Sequence, residues 1–486
     1  MSRRDADIGS DNEVMVSGYS EDTIAAIASG MTASGIGIIR ISGPEAFAVL
    51  KRVFRPKNPV DPMSFRTNTI HYGHIVDPKY SGAVIDECLV MVMRAPHTYT
   101  TEDTVEINSH GGPYVMQKIL ELVFKNGARP AEPGEFTKRA FLGGRIDLTE
   151  AEAVMDVIGA KSEDALKSSL MQLSGSVRDS IISLREKLIH ELAYIEAALD
   201  DPEHMDLTGY PETLLSVLAP IEEKIRRLSA TFGTGKLIRE GILTVILGKP
   251  NVGKSSLLNA LIGEDRAIVT EIEGTTRDVL EENVRLGGIC LRIIDTAGIR
   301  NARDQIEKIG IERARNYAEK ADLILAIFDS ARPLDENDRE ILQLVKRHRA
   351  IIVLNKSDLT PVVNEAELRR ELAPVFSDGE DIPVIAVSAA EQTGIERLEE
   401  QVRKLFFSGK LQFNEETVIT NARHFSALKA AGESLVLVRK SIEDGLPEDF
   451  YSIDLMDAYR SLGEIIGEEI DDDLVDTIFS QFCMGK

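Results

Sequence analysis

Apolar residues recur at two different periods along the chain, and the change of period divides it into segments of different predicted structure. Short β-type runs come first, with two helical patterns between them. The predicted strands are 24–28, 37–41, 69–75 and 83–93, and the predicted helices are 45–53 and 113–126. This mixture predicts an α+β domain over residues 21–140. Residues 1–20 are polar, which predicts a disordered extension.

A period of 3.6 residues begins at Thr149, where the sequence Thr-Glu-Ala-Glu is typical of a capped helix start. Helical patterning covers 149–158, 165–199 and 211–229, and it returns at 422–442, 453–466 and 471–479. Between these parts, the glycines of Phe232-Gly233-Thr234-Gly235 predict an interruption of the helical pattern.

The two helical parts, 141–240 and 409–486, carry apolar faces that neither part can bury alone. We therefore predict that they are the two halves of one discontinuous helical domain. Two separate small helical domains are the alternative. Residues 241–408 lie between the halves and alternate apolar strands with helices, as a doubly wound parallel sheet does. Gly287-Gly288 predicts a hairpin that adds one antiparallel edge strand.

A phosphate-binding loop follows the first of these strands. Its sequence is Gly248-Lys249-Pro250-Asn251-Val252-Gly253-Lys254-Ser255, followed by Ser256 in a predicted helix. Glycines allow backbone N–H groups to turn toward phosphate oxygens. Lys254 is then predicted to reach the β- and γ-phosphates, and the Ser255 hydroxyl to bind Mg²⁺.

Three further motifs follow predicted strands in the order that a Ras-like GTP-binding domain requires. They are Asp295-Thr296-Ala297-Gly298, Asn355-Lys356-Ser357-Asp358 and Ser388-Ala389. Asp295 is predicted near the outer shell of the metal, with Gly298 near the γ-phosphate. Asp358 is predicted to accept hydrogen bonds from guanine N1–H and N2–H₂, donors that adenine lacks, and Ser388-Ala389 suits a backbone contact to the guanine carbonyl. Guanine is therefore the predicted base.

In Ras-like proteins, the residue that follows Asp-x-x-Gly is a glutamine that orients the attacking water. Here that position is Ile299, which cannot do so. Glu307 is the nearest carboxylate candidate for that role, with a solvated helix face as the alternative. The segment 270–278 is the predicted mobile switch. Thr275 or Thr276 would close on Mg²⁺, and the residues alone leave both open.

Charge and cysteine content narrow the function classes. The formal net charge is −24, and residues 411–486 contain 6 Lys/Arg against 16 Asp/Glu, a balance of −10. This argues against non-specific coating of nucleic acid, so RNA contact would need a local basic patch or a partner. Cys88, Cys290 and Cys483 lie too far apart for a disulfide framework or metal site, and Cys290 is predicted in the core. No signal peptide or membrane span is apparent, so a soluble cytoplasmic protein without membrane association is expected.

The motifs resemble the MnmE (TrmE) family of tRNA-modification GTPases over about residues 22–486. The C-terminal Phe482-Cys483-Met484-Gly485-Lys486 is similar to the F-C-[IV]-G-K ending of that family. The other similar segments are 37–43, 108–112, 133–142, 248–259, 274–278 and 295–300. Met484 departs from the usual branched residue, and Arg145 stands where some members have lysine.

The resemblance implies a potassium-dependent, dimerisation-activated GTPase with Mg²⁺, K⁺ and GTP as ligands. It implies a flavin-dependent partner in a heterotetramer, and tRNA as substrate. The product would carry an aminomethyl or carboxymethylaminomethyl group on C5 of the wobble uridine. The one-carbon donor would be 5-formyl- or 5,10-methylene-tetrahydrofolate, bound by an N-terminal domain that also makes a homodimer.

The resemblance also implies roles for individual residues. Carried over by motif, Ser255 and Thr276 would bind Mg²⁺, whereas K⁺ would be held by Asn251, Thr270, Ile272 and Thr275. Glu307 would act on the water, and Cys483 would be the tail cysteine, a weaker candidate for a nucleophile. The folate positions would be Arg40, Glu106, Arg145 and Lys486, for which a structural Arg40–Glu106 ion pair is the alternative.

Two other functions fit the sequence less well. A GTP switch or ribosome-assembly factor usually appends a basic RNA-binding module, whereas here the appended stretch carries −10. A folate-binding interaction protein with incidental GTP binding is disfavoured by intact phosphate, metal and guanine motifs.

Overall fold

The computed structural model describes residues 22–201, 203–205, 207–263, 281–294, 317–346, 348–372, 382–407, 417–470, 472–483 and 485. The predicted disordered extension, 1–20, lies outside these residues. The chain divides by its contacts into two units. The first contains residues 1–152 and 466–486, and the second contains 153–465. Element labels below count only the described residues.

The first unit is built on a seven-stranded sheet of order β3-β4-β5-β6-β2-β1-β7. Its strands are β1 Ile24–Ile27, β2 Ser34–Ser42, β3 Phe54–Pro56, β4 Thr69–Asp77, β5 Ala83–Met93, β6 Thr104–Gly111 and β7 Arg129–Pro130. Its helices are α1 Ala46–Val53, α2 Pro113–Lys125, α3 Glu135–Leu142 and α15 Asp472–Ser480. The apolar stripes of α1 and α2 cover one face of the sheet, where Ile39, Leu50 and Met116 are fully buried.

Strand β6 was not among the predicted strands, although it lies in the middle of the sheet between β5 and β2. Its sequence alternates buried Val105 and Ile107 with polar Glu106 and Asn108, which is a strand pattern, but the alternation is short. Glu106 is tolerated there because it lies opposite Arg40 of β2 in the antiparallel register. The strand is therefore stabilised by a contact between two residues that are 66 positions apart in the chain.

The C-terminal helix α15 packs on α3 within the first unit. The rings of Phe141 and Phe479 lie 6.1 Å apart, and Lys138 pairs with Asp476. Gly134 precedes α3 in left-handed backbone with φ of 68°, and a Cβ there would lie 2.6 Å from the carbonyl oxygen of Phe479. The helical part predicted as one piece, 409–486, is divided between the two units, with residues 466–486 in the first. Periodicity shows that a helix is amphipathic, but it does not show which surface the apolar face covers.

The second unit contains a six-stranded sheet of order β13-β12-β11-β8-β10-β9. The strands are β8 Ile242–Leu247, β9 Glu281–Leu286, β10 Ile289–Ile294, β11 Leu323–Asp329, β12 Ala350–Asn355 and β13 Val384–Ala386. All neighbouring pairs are parallel except the hairpin of β9 and β10. This arrangement matches the predicted parallel sheet with one antiparallel edge, and Cys290 is buried in β10 as predicted.

Helices surround this sheet and extend into a helical part. They are α5 Glu163–Leu173, α6 Ser176–Asp200, α7 Tyr210–Ala230, α8 Phe232–Glu240, α9 Lys254–Ile262, α10 Glu336–Val345, α11 Glu365–Leu372, α12 Ile395–Phe407, α13 Ala422–Glu443 and α14 Glu448–Ile466. Helix α4, Leu148–Gly159, spans the boundary between the two units. Helix α13 packs along α7, with an Arg439–Glu222 ion pair of 2.6 Å.

The predicted interruption lies one residue earlier, between α7 and α8, and residues 232–235 are themselves helical. Gly235 is buried against the segment that leads into α13, and a Cβ on it would collide with the carbonyl oxygen of Ile419. Phe232 also stacks on Phe425 with ring centroids 4.5 Å apart. The glycine is therefore required for close approach between segments distant in sequence, rather than for a turn.

Three global features can be stated for the described part of the chain. All three cysteines are free, with Cys483 exposed. No described helix is both long and apolar enough to cross a membrane. Among the same residues, no group of three or more His, Cys, Asp or Glu side chains is arranged to hold a metal ion.

Candidate nucleotide-binding site

The phosphate-binding loop connects β8 to α9 at the carboxyl end of the parallel sheet, where open α/β sheets bind ligands. Gly248 and Gly253 have φ of 156° and 99°, in the region that side chains disfavour. A Cβ on Gly248 would lie 2.6 Å from the carbonyl oxygen of Ile327, and one on Gly253 would collide with the amide of Asn355. Both glycines are therefore needed for the loop to lie against the neighbouring strands.

Lys254 is the first residue of α9 and its ammonium group lies over the loop. Its Nζ donates to the carbonyl oxygens of Gly248 at 2.6 Å and Lys249 at 2.7 Å. Burial lowers the pKa of Lys254 to about 8, which still leaves the cation predominant at neutral pH. The loop thus presents a partly desolvated positive charge beside a helix N-terminus, a combination that favours phosphate.

The other lysine of the loop, Lys249, contacts a neighbouring helix. Lys249 Nζ lies 2.6 Å from carboxylate oxygens of both Asp335 and Asp338 at the start of α10. Asp335 caps that helix through a reciprocal pair of hydrogen bonds with Asp338. Lys249 therefore links the loop to α10, whereas the ammonium group of Lys254 stays over the loop.

Asn355 joins three segments of the site. Its Nδ2 donates to the carbonyl oxygen of Val252 at 2.9 Å, and its Oδ1 accepts from the backbone N–H of Ala389 at 3.1 Å. The side chain is buried at the end of β12. The sequence predicts that Asn355 binds GTP. In the structure, its side chain links the phosphate loop to the predicted base-binding segment at Ala389.

Asp358 and Ser388 lie together at the base end of the site. The Ser388 hydroxyl donates to Asp358 Oδ1 at 2.6 Å and accepts from the backbone N–H of Glu391 at 3.2 Å. This hydrogen bond orients the carboxylate that the sequence assigns to guanine. Sequence reasoning gave Ser388 a backbone role only, and the contact to Asp358 was not predicted.

A second candidate site lies in the first unit around the ring of Tyr99. The Arg40 and Arg145 guanidinium carbons are 5.6 Å and 4.8 Å from its centroid. Arg40 also forms a 2.8 Å ion pair with Glu106 and donates to the carbonyl oxygen of Gly485 at 3.3 Å. Three of the four predicted folate positions are thus brought together, next to the tail. The aromatic residues Tyr99 and Phe136, whose rings both lie near Arg40, were missed; no motif marks Tyr99, and segment 133–142 was noted without a role for Phe136.

Comparison with known proteins places this arrangement in a family. A family model described as the MnmE helical domain matches residues 148–483, and one described as the GTP-binding protein TrmE N-terminus matches 23–145. The chain belongs to the MnmE family. The resemblance drawn from the sequence motifs is therefore confirmed.

Relatives match over nearly their whole length, and each is named tRNA modification GTPase MnmE. The protein from Lachnoclostridium phytofermentans is 52% identical over 467 residues, which cover 96% of this chain and 99% of the relative. The protein from Acetivibrio thermocellus is 47% identical over 470 residues, 96% of this chain and 100% of the relative. The protein from Alkaliphilus oremlandii is 46% identical over 468 residues, with the same two coverages.

Several predicted site residues of this MnmE-family chain lie outside the described residues. They are Thr270, Ile272, Thr275, Thr276, Asp295, Thr296, Ala297, Gly298, Glu307 and Lys486. Among the described ones, Ser255 and Ser256 lie in the first turn of α9, and Asn251 is exposed with φ of 63°. Cys483 is also described, and its carbonyl oxygen accepts from the backbone N–H of Gly134 at 3.4 Å.

Proposed function

We propose that this chain is a GTP hydrolase that acts in tRNA modification. The observation that carries the proposal is the bridge through Asn355, which links the loop holding Lys254 to the segments holding Asp358 and Ser388. This bridge supports a phosphate subsite and a guanine-selective subsite at a fixed distance from each other. The names of its relatives supply the biological process in which the hydrolysis takes place.

Two measurements test this function together. The purified full-length chain should hydrolyse GTP and not ATP, because adenine lacks the donors that Asp358 accepts. Mass spectrometry of tRNA nucleosides from a strain lacking the protein should show loss of a C5-modified wobble uridine. Hydrolysis combined with unchanged tRNA would instead favour the GTP-switch or ribosome-assembly function.

In finer detail, we propose that a flavin-dependent partner joins in the reaction. Together they would place an aminomethyl or carboxymethylaminomethyl group on C5 of the wobble uridine. The domain layout that we propose has the two helical parts forming one domain around residues 241–408. Support comes from α13 and α7, which lie on opposite sides of that segment in sequence and pack together.

The metal sites are proposed on oxygen donors. The Ser255 hydroxyl, in the first turn of α9 beside the phosphate loop, suits Mg²⁺, which prefers hard oxygen ligands. Asn251 is exposed in left-handed backbone within the same loop, so its side-chain oxygen is available to a monovalent cation. A K⁺ ion held by Asn251 would supply the positive charge that an arginine finger gives in other GTPases.

GTP turnover is expected to be several-fold faster in K⁺ than in Na⁺ at equal ionic strength. The reason is that Ile299 cannot orient water, so the site depends on an added charge that fits its oxygen donors. The measurement is steady-state phosphate release in KCl and NaCl. Asn251→Ala should remove the difference between the two salts, and equal rates for the unaltered chain would contradict the potassium mechanism.

A homodimer through the first unit is supported by an exposed apolar face of its sheet. Ile70 and Tyr72 alternate along β4, and Leu89 lies opposite Tyr72 on β5. Ile70 is 64% exposed and Leu89 is 47% exposed. Apolar side chains grouped on one sheet face are typical of a protein interface. If dimerisation activates hydrolysis, turnover per chain should rise with protein concentration.

Tetrahydrofolate binding is expected at the site around Tyr99. The glutamate end and the pterin ring of a folate suit two guanidinium groups beside an aromatic ring. Calorimetry on the full-length chain with 5-formyl-tetrahydrofolate should show binding, and Arg145→Met should weaken it by about tenfold, the usual loss for one charged hydrogen bond. Unchanged affinity in Arg145→Met would remove Arg145 from the folate site.

A further inference from the structure

An ion pair joins the ends of two neighbouring strands beside the nucleotide site. Asp329 is the last residue of β11, whose seven residues are all buried, and it lies opposite Asn355 of β12. Lys356, which directly follows Asn355, places its Nζ 2.6 Å from Asp329 Oδ2. The side chains of Lys356 and Asp329 are 29% and 6% exposed. No sequence motif assigned a role to Asp329.

The Asp329 carboxylate is fixed and charged. Its second oxygen accepts a hydrogen bond from the backbone N–H of Ala331 at 3.0 Å. Burial acts to raise the pKa of Asp329, but the hydrogen bonds from Lys356 and Ala331 outweigh it and hold the pKa below its ordinary value. The carboxylate therefore remains a full negative charge, able to hold the lysine at neutral pH.

The neighbouring Ser330 holds the backbone of the same lysine. Its hydroxyl donates to the carbonyl oxygen of Lys356 at 3.0 Å, and its N–H donates to the carbonyl oxygen of Asn355 at 3.0 Å. Ser330 is itself buried, and its carbonyl oxygen accepts from Val362 and Val363. The pair Asp329-Ser330 thus contacts Lys356 at its side chain and at its backbone.

Lys356 needs such support because its backbone is left-handed, with φ of 64°. Residues other than glycine rarely adopt that conformation, because the Cβ atom then crowds the backbone. The conformation determines how the chain passes from Asn355, which points to the phosphate loop, to Asp358, which meets Ser388. A relaxed Lys356 would change the direction from which Asp358 meets the base.

We propose that Asp329 is a positioning residue for guanine recognition, which acts by holding Lys356 in the backbone conformation that orients Asp358. The inference rests on the proposed GTP binding and adds a residue to the guanine-binding part of that site. Asp358 is to accept two hydrogen bonds from guanine, and the one from the 2-amino group is absent in hypoxanthine. Preference for guanine over hypoxanthine therefore reports the orientation of Asp358 directly.

The experiment measures binding of GDP and IDP to the full-length chain by calorimetry, in the presence of Mg²⁺. Asp329→Asn keeps the shape of the side chain and removes its charge. We expect the affinity of Asp329→Asn for GDP to fall by about tenfold and its preference for GDP over IDP to fall by about fivefold. The reason is that a misoriented Asp358 carboxylate accepts a weaker hydrogen bond from the guanine 2-amino group. The matched control is Arg332→Gln, which removes an exposed cation 3.6 Å from the same carboxylate and leaves Lys356 in place.

The outcomes separate the inference from the function on which it rests. A reduced GDP/IDP preference in Asp329→Asn, with the control like the unaltered chain, supports the positioning role. An unchanged preference overturns it, even where both affinities fall, because a general loss of structure weakens both nucleotides alike. Failure of the unaltered chain to bind GDP contradicts the proposed function instead. If Asp329→Asn does not unfold cooperatively, Ser330→Ala decides by the same preference, because it removes the bond to the Lys356 carbonyl.

Discussion

Replacing Lys254 with methionine should lower kcat/KM for GTP hydrolysis by about 10²–10³-fold, the usual loss when one preorganised donor to a developing charge is removed. Methionine keeps the length and apolar stem of lysine, so the loop keeps its packing. What is lost is the cation that the carbonyl oxygens of Gly248 and Lys249 hold over the loop. The measurement is GTP turnover with saturating Mg²⁺ and K⁺, at pH 7, where Lys254 is charged because its pKa is about 8.

The same substitution at Lys249 provides the matched comparison. Lys249 belongs to the same loop, but its ammonium group pairs with Asp335 and Asp338. Lys249→Met should therefore act on stability, lowering the free energy of unfolding by about 1–3 kcal/mol, because the buried Asp338 loses a partner. Turnover that falls equally in the two variants would mean that the Lys254 ammonium group does not contact the phosphates.

Glu307→Ala should lower GTP hydrolysis by about 10²–10⁴-fold while leaving GTP affinity within about twofold, the effect of losing a group that acts on the attacking water. The expectation comes from the sequence, since Ile299 replaces the usual glutamine and Glu307 is the nearest carboxylate candidate. It lies outside the described residues. Single-turnover hydrolysis and equilibrium binding, measured on the same preparation, separate the two effects.

Glu312→Ala is the control for Glu307→Ala, because it removes an identical side chain five positions further along the same stretch. We expect it to hydrolyse GTP at a rate close to that of the unaltered chain. Retained turnover in Glu307→Ala would return that residue to the solvated helix face and leave the orientation of water to a partner molecule.

The motifs of the candidate nucleotide site could be recognised in the sequence because each is contiguous. Gly253, Lys254 and Ser255 are adjacent residues, and a short loop between a strand and a helix fixes their relative positions almost without help from elsewhere. The signal for Asp329 was present but weak. It is a polar residue that directly follows six buried apolar ones in a strand, a position where a parallel sheet commonly places functional groups.

The Tyr99 site and strand β6 show the opposite case. Arg40 and Glu106 face each other only because β2 and β6 pair in one register, and Tyr99 joins them from a loop. The short alternation in β6 is compatible with a strand, but only the pairing with β2 offsets the cost of burying Glu106 there. The same reason explains α8, whose Gly235 is required by a carbonyl oxygen at Ile419.

The sequence by itself determined most of the helices and strands, the phosphate-loop and guanine-recognition motifs and the family, because periodicity and contiguous motifs act over a few residues. Tertiary structure alone decided that Asn355 ties the phosphate loop to Ala389, that Asp329 holds Lys356, and that α15 packs on α3. Those contacts join residues far apart in the chain, and their free energy depends on burial and geometry that exist only after folding.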